Sequence, residues 1–386
     1  MTDFPAHVDG DSNGWCTLEE LGSLSQLRNL ELKGLENVYP SSSARKAMLC
    51  TKKHLVELRL TCSSRSGDNV LELEQEQRRI EEVYDELCPP ACINYVTIQR
   101  YIGRRLPDWM MSKKAEVFLK RLKFLLLQDV NFCTQLPDGL CQLPCLEALE
   151  VHRAPAIKRI GTEFLRYNHP FAFQRLNKLV MDRMVQWEVW EWNQQLKAMP
   201  VLQELVLHTC KLTHLPPGLA FDARALKILT LHEVHFLVSL ENMPSLVELD
   251  VSCCHALKGI ANLPSLHKLV ISCCPELKVL DGVPELRRLF LRDGRGSVSE
   301  LPPYLLDLNL AHLTLSCGLP LLCFMARGNT TTEWDKFCNI SRVEAFDRSG
   351  KFRVSYSRNP RYLETNISPL LFGIVQRCRD CGVIHL

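Results

Sequence analysis

This chain of 386 residues contains no run approaching the roughly 20 apolar residues that a membrane-crossing helix needs, so no membrane span is expected. Its opening stretch, MTDFPAHVDGDSNG, lacks the basic segment and the apolar segment of a secretory leader, and we expect a cytoplasmic or nuclear protein. Neither sign of charge dominates: 46 Lys and Arg stand against 44 Asp and Glu, for a net charge of +2. Such a balance gives no general attraction to nucleic acid, and none is expected as a partner. Signatures of chemistry are missing too. There is no G-x-x-x-x-G-K-[ST] phosphate loop and no G-x-S-x-G elbow. His232-Glu233-Val234-His235 is one residue short of the H-E-x-x-H zinc spacing and follows a strand pattern, not a helix. Cys378 and Cys381, with His385 nearby, form a lone C-x-x-C without a second ligand pair. We therefore expect no catalytic residue, no metal and no cofactor.

Cysteine, by contrast, is abundant. The 18 cysteines are scattered, and in a reducing compartment they are expected as buried thiols that act as small hydrophobes. Two adjacent pairs, Cys253-Cys254 and Cys273-Cys274, lie twenty residues apart in VSCCHALKGIANLPSLHKLVISCCPELKVL. Aligning them reveals the organising pattern of the chain. Leu246, Leu249, Val251, Cys254, Leu257 and Ile260 recur, twenty residues later, as Leu266, Leu269, Ile271, Cys274, Leu277 and Leu280. Leu286, Leu289 and Leu291 begin a third copy. The pattern L-x-x-L-x-L-x-x-C-x-x-L-x-x-L is a leucine-rich repeat. Further copies start at Leu27, Leu55, Ile93, Leu122, Leu146, Leu176, Leu202, Leu226 and Leu310.

The x-L-x-L core alternates with period two, so its leucines point inward and the residues between them outward. One coil buries about five apolar side chains, on the order of 10 kcal/mol gross. Ordering its twenty or so residues costs roughly 20 to 40 kcal/mol of backbone entropy. No coil folds alone, and stacking on neighbours must supply the difference. The expected fold is an α/β solenoid, a leucine-rich-repeat horseshoe with a parallel sheet on its concave face and short helices and turns on its convex face. Residues 1–15 are expected to be a disordered leading segment, 16–318 the solenoid of about twelve repeats, and 319–386 a degenerate repeat or cap. In that frame Cys210, Cys254 and Cys274 take the inward turn position, while Cys253 and Cys273 face elsewhere. Four thiols so divided cannot converge on one metal.

The longest interval contains GDNVLELEQEQRRIEEVYDELCPP, where Ile80, Val83, Tyr84 and Leu87 share one helical face that stops at Pro89-Pro90. Its eight acidic residues, Asp68 to Glu86, are expected on a solvated outer face. A second helix with a serine cap is expected over about residues 41–50, and the twenty-residue coils should cross the convex side as turns. Trp187, Trp190 and Trp192 are expected to pack the convex side of the coil that starts at Leu176.

CTLEELGSLSQLRNLELKGLENV (16–38) and ARKAMLCTKKHLVELRL (44–60) bring a family into view. With YIGRRLPDWM (101–110) and FQRLNKLVMDRMVQWEVWEW (173–192), they resemble the repeat region of plant nucleotide-binding leucine-rich-repeat immune receptors, particularly the coiled-coil type abundant in grasses. The likeness spans residues 16 to 317 and implies a disease-resistance role. It also implies a protein partner: a pathogen effector, a guarded host protein or a nucleotide-binding receptor domain. No phosphate loop precedes these repeats, so nucleotide switching does not carry over, and the expectation is a truncated receptor or a repeat protein acting in trans. The candidate contacts are outward strand residues: Glu204, His208, Thr230, His232, Glu248, Asp250, Lys268, Arg288, Phe290 and Arg292. Their charge drifts from acidic at 248 and 250 to basic at 288 and 292. Alternatives are a substrate-recruiting subunit of a ubiquitin ligase, disfavoured because only about 20 residues precede the first repeat, and a non-functional receptor fragment.

Overall fold

Each of the twelve repeat starts becomes a parallel strand that begins two residues later. The computed structural model describes residues 4–5, 18–63, 70–165, 171–292, 300–327 and 334–368. The C-x-x-C at Cys378 and Cys381, and most of segment 1–15, lie outside these residues. The chain forms two units, Met1–Leu226 and Lys227–Leu386.

In the first unit, β1 (Phe4–Pro5) is followed by α1 (Leu18–Ser23), β2 (Asn29–Lys33), β3 (Glu57–Thr61) and α2 (Val70–Glu86). Next come β4 (Tyr95–Gln99), α3 (Ser112–Phe118), β5 (Phe124–Gln128) and β6 (Ala148–His152). The short strands β7 (Arg159–Ile160) and β8 (Phe171–Ala172) precede β9 (Lys178–Asp182). Then β10 (Val189–Trp190), β11 (Lys197–Ala198), β12 (Glu204–Cys210) and α4 (Pro217–Asp222) complete the unit. The main sheet of this unit runs β1-β2-β3-β4-β5-β6-β9-β12. The second and fourth residues of each repeat strand, such as Leu125 and Leu127 or Leu205 and Leu207, are wholly buried. The first, third and fifth face outward.

The second unit repeats this design with shorter coils. Its main strands are β13 (Ile228–Val234), β15 (Glu248–Ser252), β17 (Lys268–Ser272), β19 (Arg288–Arg292) and β20 (His312–Cys317). Between them lie β14 (Ser239–Glu241), β16 (Gly259–Ala261) and β18 (Val279–Asp281), which pair in parallel as a separate three-stranded sheet. The twenty-residue coils thus cross the far side as strands, not as the turns expected from sequence. Each has just enough chain for a second extended run, and stacking aligns these runs for pairing. After α5 (Leu319–Ala326), β21 (Arg342–Asp347) joins β20 in parallel. The strands β22 (Arg353–Arg358) and β23 (Arg361–Thr365) then continue the sheet antiparallel.

One backbone device recurs. The residue after the fifth strand position has positive φ in Arg100, Asp129, Arg153, Arg183, Thr209, Glu233, Cys253 and Cys273. This left-handed turn aims its N–H at the neighbouring coil: Arg153 donates to Asp182 O at 2.8 Å and Cys253 to Ser272 O at 2.8 Å. The next residue then points inward, which is why Cys254 is wholly buried. Its Sγ lies 3.7 Å from Leu231 O, and that of Cys274 lies 3.6 Å from Val251 O, so each thiol meets a carbonyl of the preceding coil.

Ile80, Val83, Tyr84 and Leu87 are buried on one face of α2 and its C-terminal end, as the periodicity requires. The acidic residues of that helix differ from expectation. Glu86 binds Arg45 through two hydrogen bonds of 2.8 and 2.7 Å, Asp85 holds Arg105 at 2.6 Å, and Glu74 holds Arg104 at 3.0 Å. The partners lie 20 to 41 residues away in sequence, so local reading could not find them. The segment around residues 41–50 forms two 3-10 turns, Ser41–Ala47 and Leu49–Thr51, instead of an α-helix. Met48, with φ of 50°, divides them, and Ser41 Oγ donates to Glu82 at 2.8 Å instead of capping.

Candidate recognition surface

The outward residues of successive strands stand in three columns on the open face of each sheet. In the second unit the strand register aligns Glu248, Lys268, Arg288 and His312 in the first column. Thr230, Asp250, Val270 and Phe290 share the second, and His232, Ser252, Ser272 and Arg292 the third. Eight of the ten candidates therefore lie together on four adjacent strands. Glu204 and His208 sit on β12 of the first unit, where they align with Lys178 and Asp182.

Ion pairs and hydrogen bonds link the outward residues of neighbouring strands and neighbouring positions. Lys268 Nζ reaches Glu248 at 2.9 Å, and Ser252 Oγ donates to Asp250 at 2.8 Å. Lys178 lies 3.4 Å from Glu150 and 3.9 Å from Glu204. Asp182 faces two imidazoles, His152 at 3.1 Å and His208 at 3.5 Å. The acidic-to-basic drift across the second unit continues beyond the candidates: His312 follows Arg288, and Arg342 follows His312. Arg342 is held by Glu344 at 2.6 Å.

The first unit carries a patch that the sequence reading missed. Tyr95, Phe124 and Leu126 face outward from β4 and β5 beside Glu57, Arg59, Thr97 and Gln99. Together they line a cavity of about 380 Å³. The rings of Tyr95 and Phe124 stand 6.5 Å apart, and Tyr95 is 42% exposed. Arg59 is tied to Glu57 at 2.8 Å and Gln99 to Gln128 at 2.9 Å, which frames the apolar floor with satisfied polar groups. The signal was available: apolar residues at outward positions of two successive coils break the alternation that the repeat imposes.

Away from the open face, the tryptophans pack as expected. Trp187 is fully buried, its ring 5.3 Å from that of Trp190, and Trp192 Nε1 donates to Asp222 at 2.7 Å. The described cysteines are free thiols. Burial pushes Cys62, Cys133 and Cys141 up to about 12. The Cys253 thiol is raised, first by burial and then by the neighbouring Cys273 thiol of the next coil. Among the described residues, no group of three or more His, Cys, Asp or Glu is arranged to hold a metal ion.

A sequence profile of R13L1/DRL21 LRRs matches residues 18–154. That stretch is similar to the leucine-rich repeats of plant disease-resistance proteins. Over 182 residues the chain is 32% identical to an Arabidopsis thaliana protein named for disease resistance, RPP13-like protein 1. That match covers 45% of this chain and 17% of the relative. Over 244 residues it is 29% identical to a Solanum bulbocastanum protein named as disease resistance protein RGA1, covering 59% of this chain and 22% of the relative. The chain thus spans about a fifth of the length of these resistance proteins. Among solved structures, the leucine-rich repeat domain of the type III effector XopL aligns with a TM-score of 0.40 and 18% identity, covering 54% of this chain and 71% of that one. A TLR13–ssRNA13 complex aligns with a TM-score of 0.36 and 16% identity, over 84% of this chain and 51% of that one. The solenoid rests on the repeat pattern and its parallel strand register. Repeat regions of this kind generally serve protein interaction. No helix among the described residues is long and apolar enough to cross a membrane.

Proposed function

We propose that the open face of these resistance-type repeats is a non-catalytic recognition surface for a protein partner in plant immunity. The partner is a pathogen effector, a guarded host protein or the nucleotide-binding domain of a receptor, met in the cytoplasm. The observation that carries this reading is the partly exposed Tyr95–Phe124–Leu126 floor, because clustered apolar side chains on a mostly polar face are the usual anchors of a protein interface. In the second unit, the candidates from Thr230 to Arg292 supply a separate set of mostly polar contacts on that unit's own open face. In this reading residues 16–318 form the recognising solenoid and 319–386 its cap, and the chain is the repeat part of a receptor. Nothing in the site favours the ligase-subunit alternative.

The test is co-immunoprecipitation of the full chain from pathogen-challenged leaf tissue, beside two open-face variants, Tyr95→Ala/Phe124→Ala and Val270→Glu. The reading requires a pathogen or host protein that wild type retains and at least one variant loses, with circular dichroism unchanged. Identical captured proteins from all three chains would overturn it.

A further inference from the structure

We infer that Arg288, Phe290 and Arg292 form a docking site for an extended polypeptide segment with an acidic–apolar–acidic face. The inference rests on the recognition reading above and specifies the partner chemistry for the second unit.

The three side chains are the first, third and fifth residues of β19, so all face the open side. Both arginines are exposed and Phe290 is half-buried between them. Along a strand such residues recur at about 6.8 Å, which places the two arginine Cα atoms about 13 Å apart. An extended partner has the same repeat. Its residues i, i+2 and i+4 can set two carboxylates over the guanidinium groups and an apolar side chain over the ring.

The cations on either side are already engaged. Lys268, one strand back, is held by Glu248, and Arg342, two strands on, by Glu344. Among the described residues, Arg288 and Arg292 have no carboxylate partner, so they are the ones that can receive new ones. Arg288 also has His312 beside it, and Arg292 lies between Ser272 and Ser316, small hydroxyl side chains that leave room. The same geometry argues against a polyanion such as RNA. A phosphate backbone that crosses the strands from β19 would meet Glu248 and Asp250 two strands away, where the face is acidic. A short acidic segment along β19 avoids that region, and a basic flank of the partner would be drawn to it.

The experiment is fluorescence anisotropy of the full chain with a labelled peptide whose centre is Asp-Thr-Leu-Thr-Asp. Controls are Lys-Thr-Leu-Thr-Lys and a scrambled Leu-Asp-Asp-Thr-Thr centre. The acidic peptide is expected to bind at least about tenfold more tightly than either control, and to weaken as salt is added. Arg288→Glu/Arg292→Glu should reverse the preference toward the lysine peptide. Should that variant misfold, Arg288→Gln/Arg292→Gln should instead abolish the preference. Acidic-peptide binding that is absent, indifferent to residue order, or unchanged in the folded variants overturns the inference. A single-stranded oligonucleotide that binds more tightly than the peptide, and is lost in the same variants, also overturns it. If the inference fails while capture from leaf tissue still depends on Tyr95 and Phe124, recognition by the open face stands and only this site is withdrawn.

Discussion

Lys52 donates from its buried ammonium to the carbonyl oxygen of Leu24, 28 residues earlier, at 3.0 Å, and also to that of Leu21. Lys52 is 1% exposed. It closes the C-terminal end of α1, whose last carbonyls have no helical partner. Lys52→Met keeps the aliphatic bulk but removes the ammonium donor from Leu24 O and from Leu21 O, the latter keeping only its bond from Leu24 N. We expect a loss of about 1–3 kcal/mol, read from the urea midpoint of the chain, with Lys52→Arg less harmful than Lys52→Met.

The buried thiols are expected to weaken the fold at alkaline pH. In the unfolded chain Cys62, Cys133 and Cys141 release their protons near 9.0, whereas burial holds them to about 12 in the fold. The raised folded value means that their contribution is complete below the unfolded value and is lost as pH climbs through the folded one. The urea midpoint should therefore fall between about pH 9 and 11, and Cys133→Ala/Cys141→Ala should flatten that fall. A pH-independent midpoint over this range would contradict the assignment.

Gly282 carries the far-side turn after β18 with φ of +63°. A Cβ there would stand 2.8 Å from the backbone nitrogen of Asn262 in the preceding coil. Both the turn and the contact oppose a side chain, so Gly282→Ala should cost about 1–3 kcal/mol. Gly350, with φ of +70° but open space around it, serves as the comparison: Gly350→Ala bears only the backbone cost, about 1 kcal/mol. Thermal melting of the two variants separates steric from conformational strain.

The repeat frame was legible because three successive twenty-residue intervals from Leu226 to Leu286 fix the register of the period-two leucines, which then recur at uneven spacing back to Leu27. It also placed the open-face columns, including all ten candidate residues. What escaped it depends on distance in sequence. The carboxylates of α2 looked solvated because Arg45, Arg104 and Arg105 lie remote from them along the chain. Lys52, within a polar-looking CTKKH run, gave no local sign of burial. Tyr95, Phe124 and Leu126 were in frame, but their significance comes from adjacency across coils. The three-residue far-side strands carry too few residues for periodicity to register, and they form only because identical coils bring them side by side.

Those far-side strands also bear on how each coil would give way under force. Around residues 228–292, neighbouring coils are laced along both walls, through β13-β15-β17-β19 on one side and β14-β16-β18 on the other. Where α2 and α3 occupy the far side of the first unit, a single ladder joins successive coils. Tension along the stack would open the helical coils first and leave the doubly laced block as the last part to part.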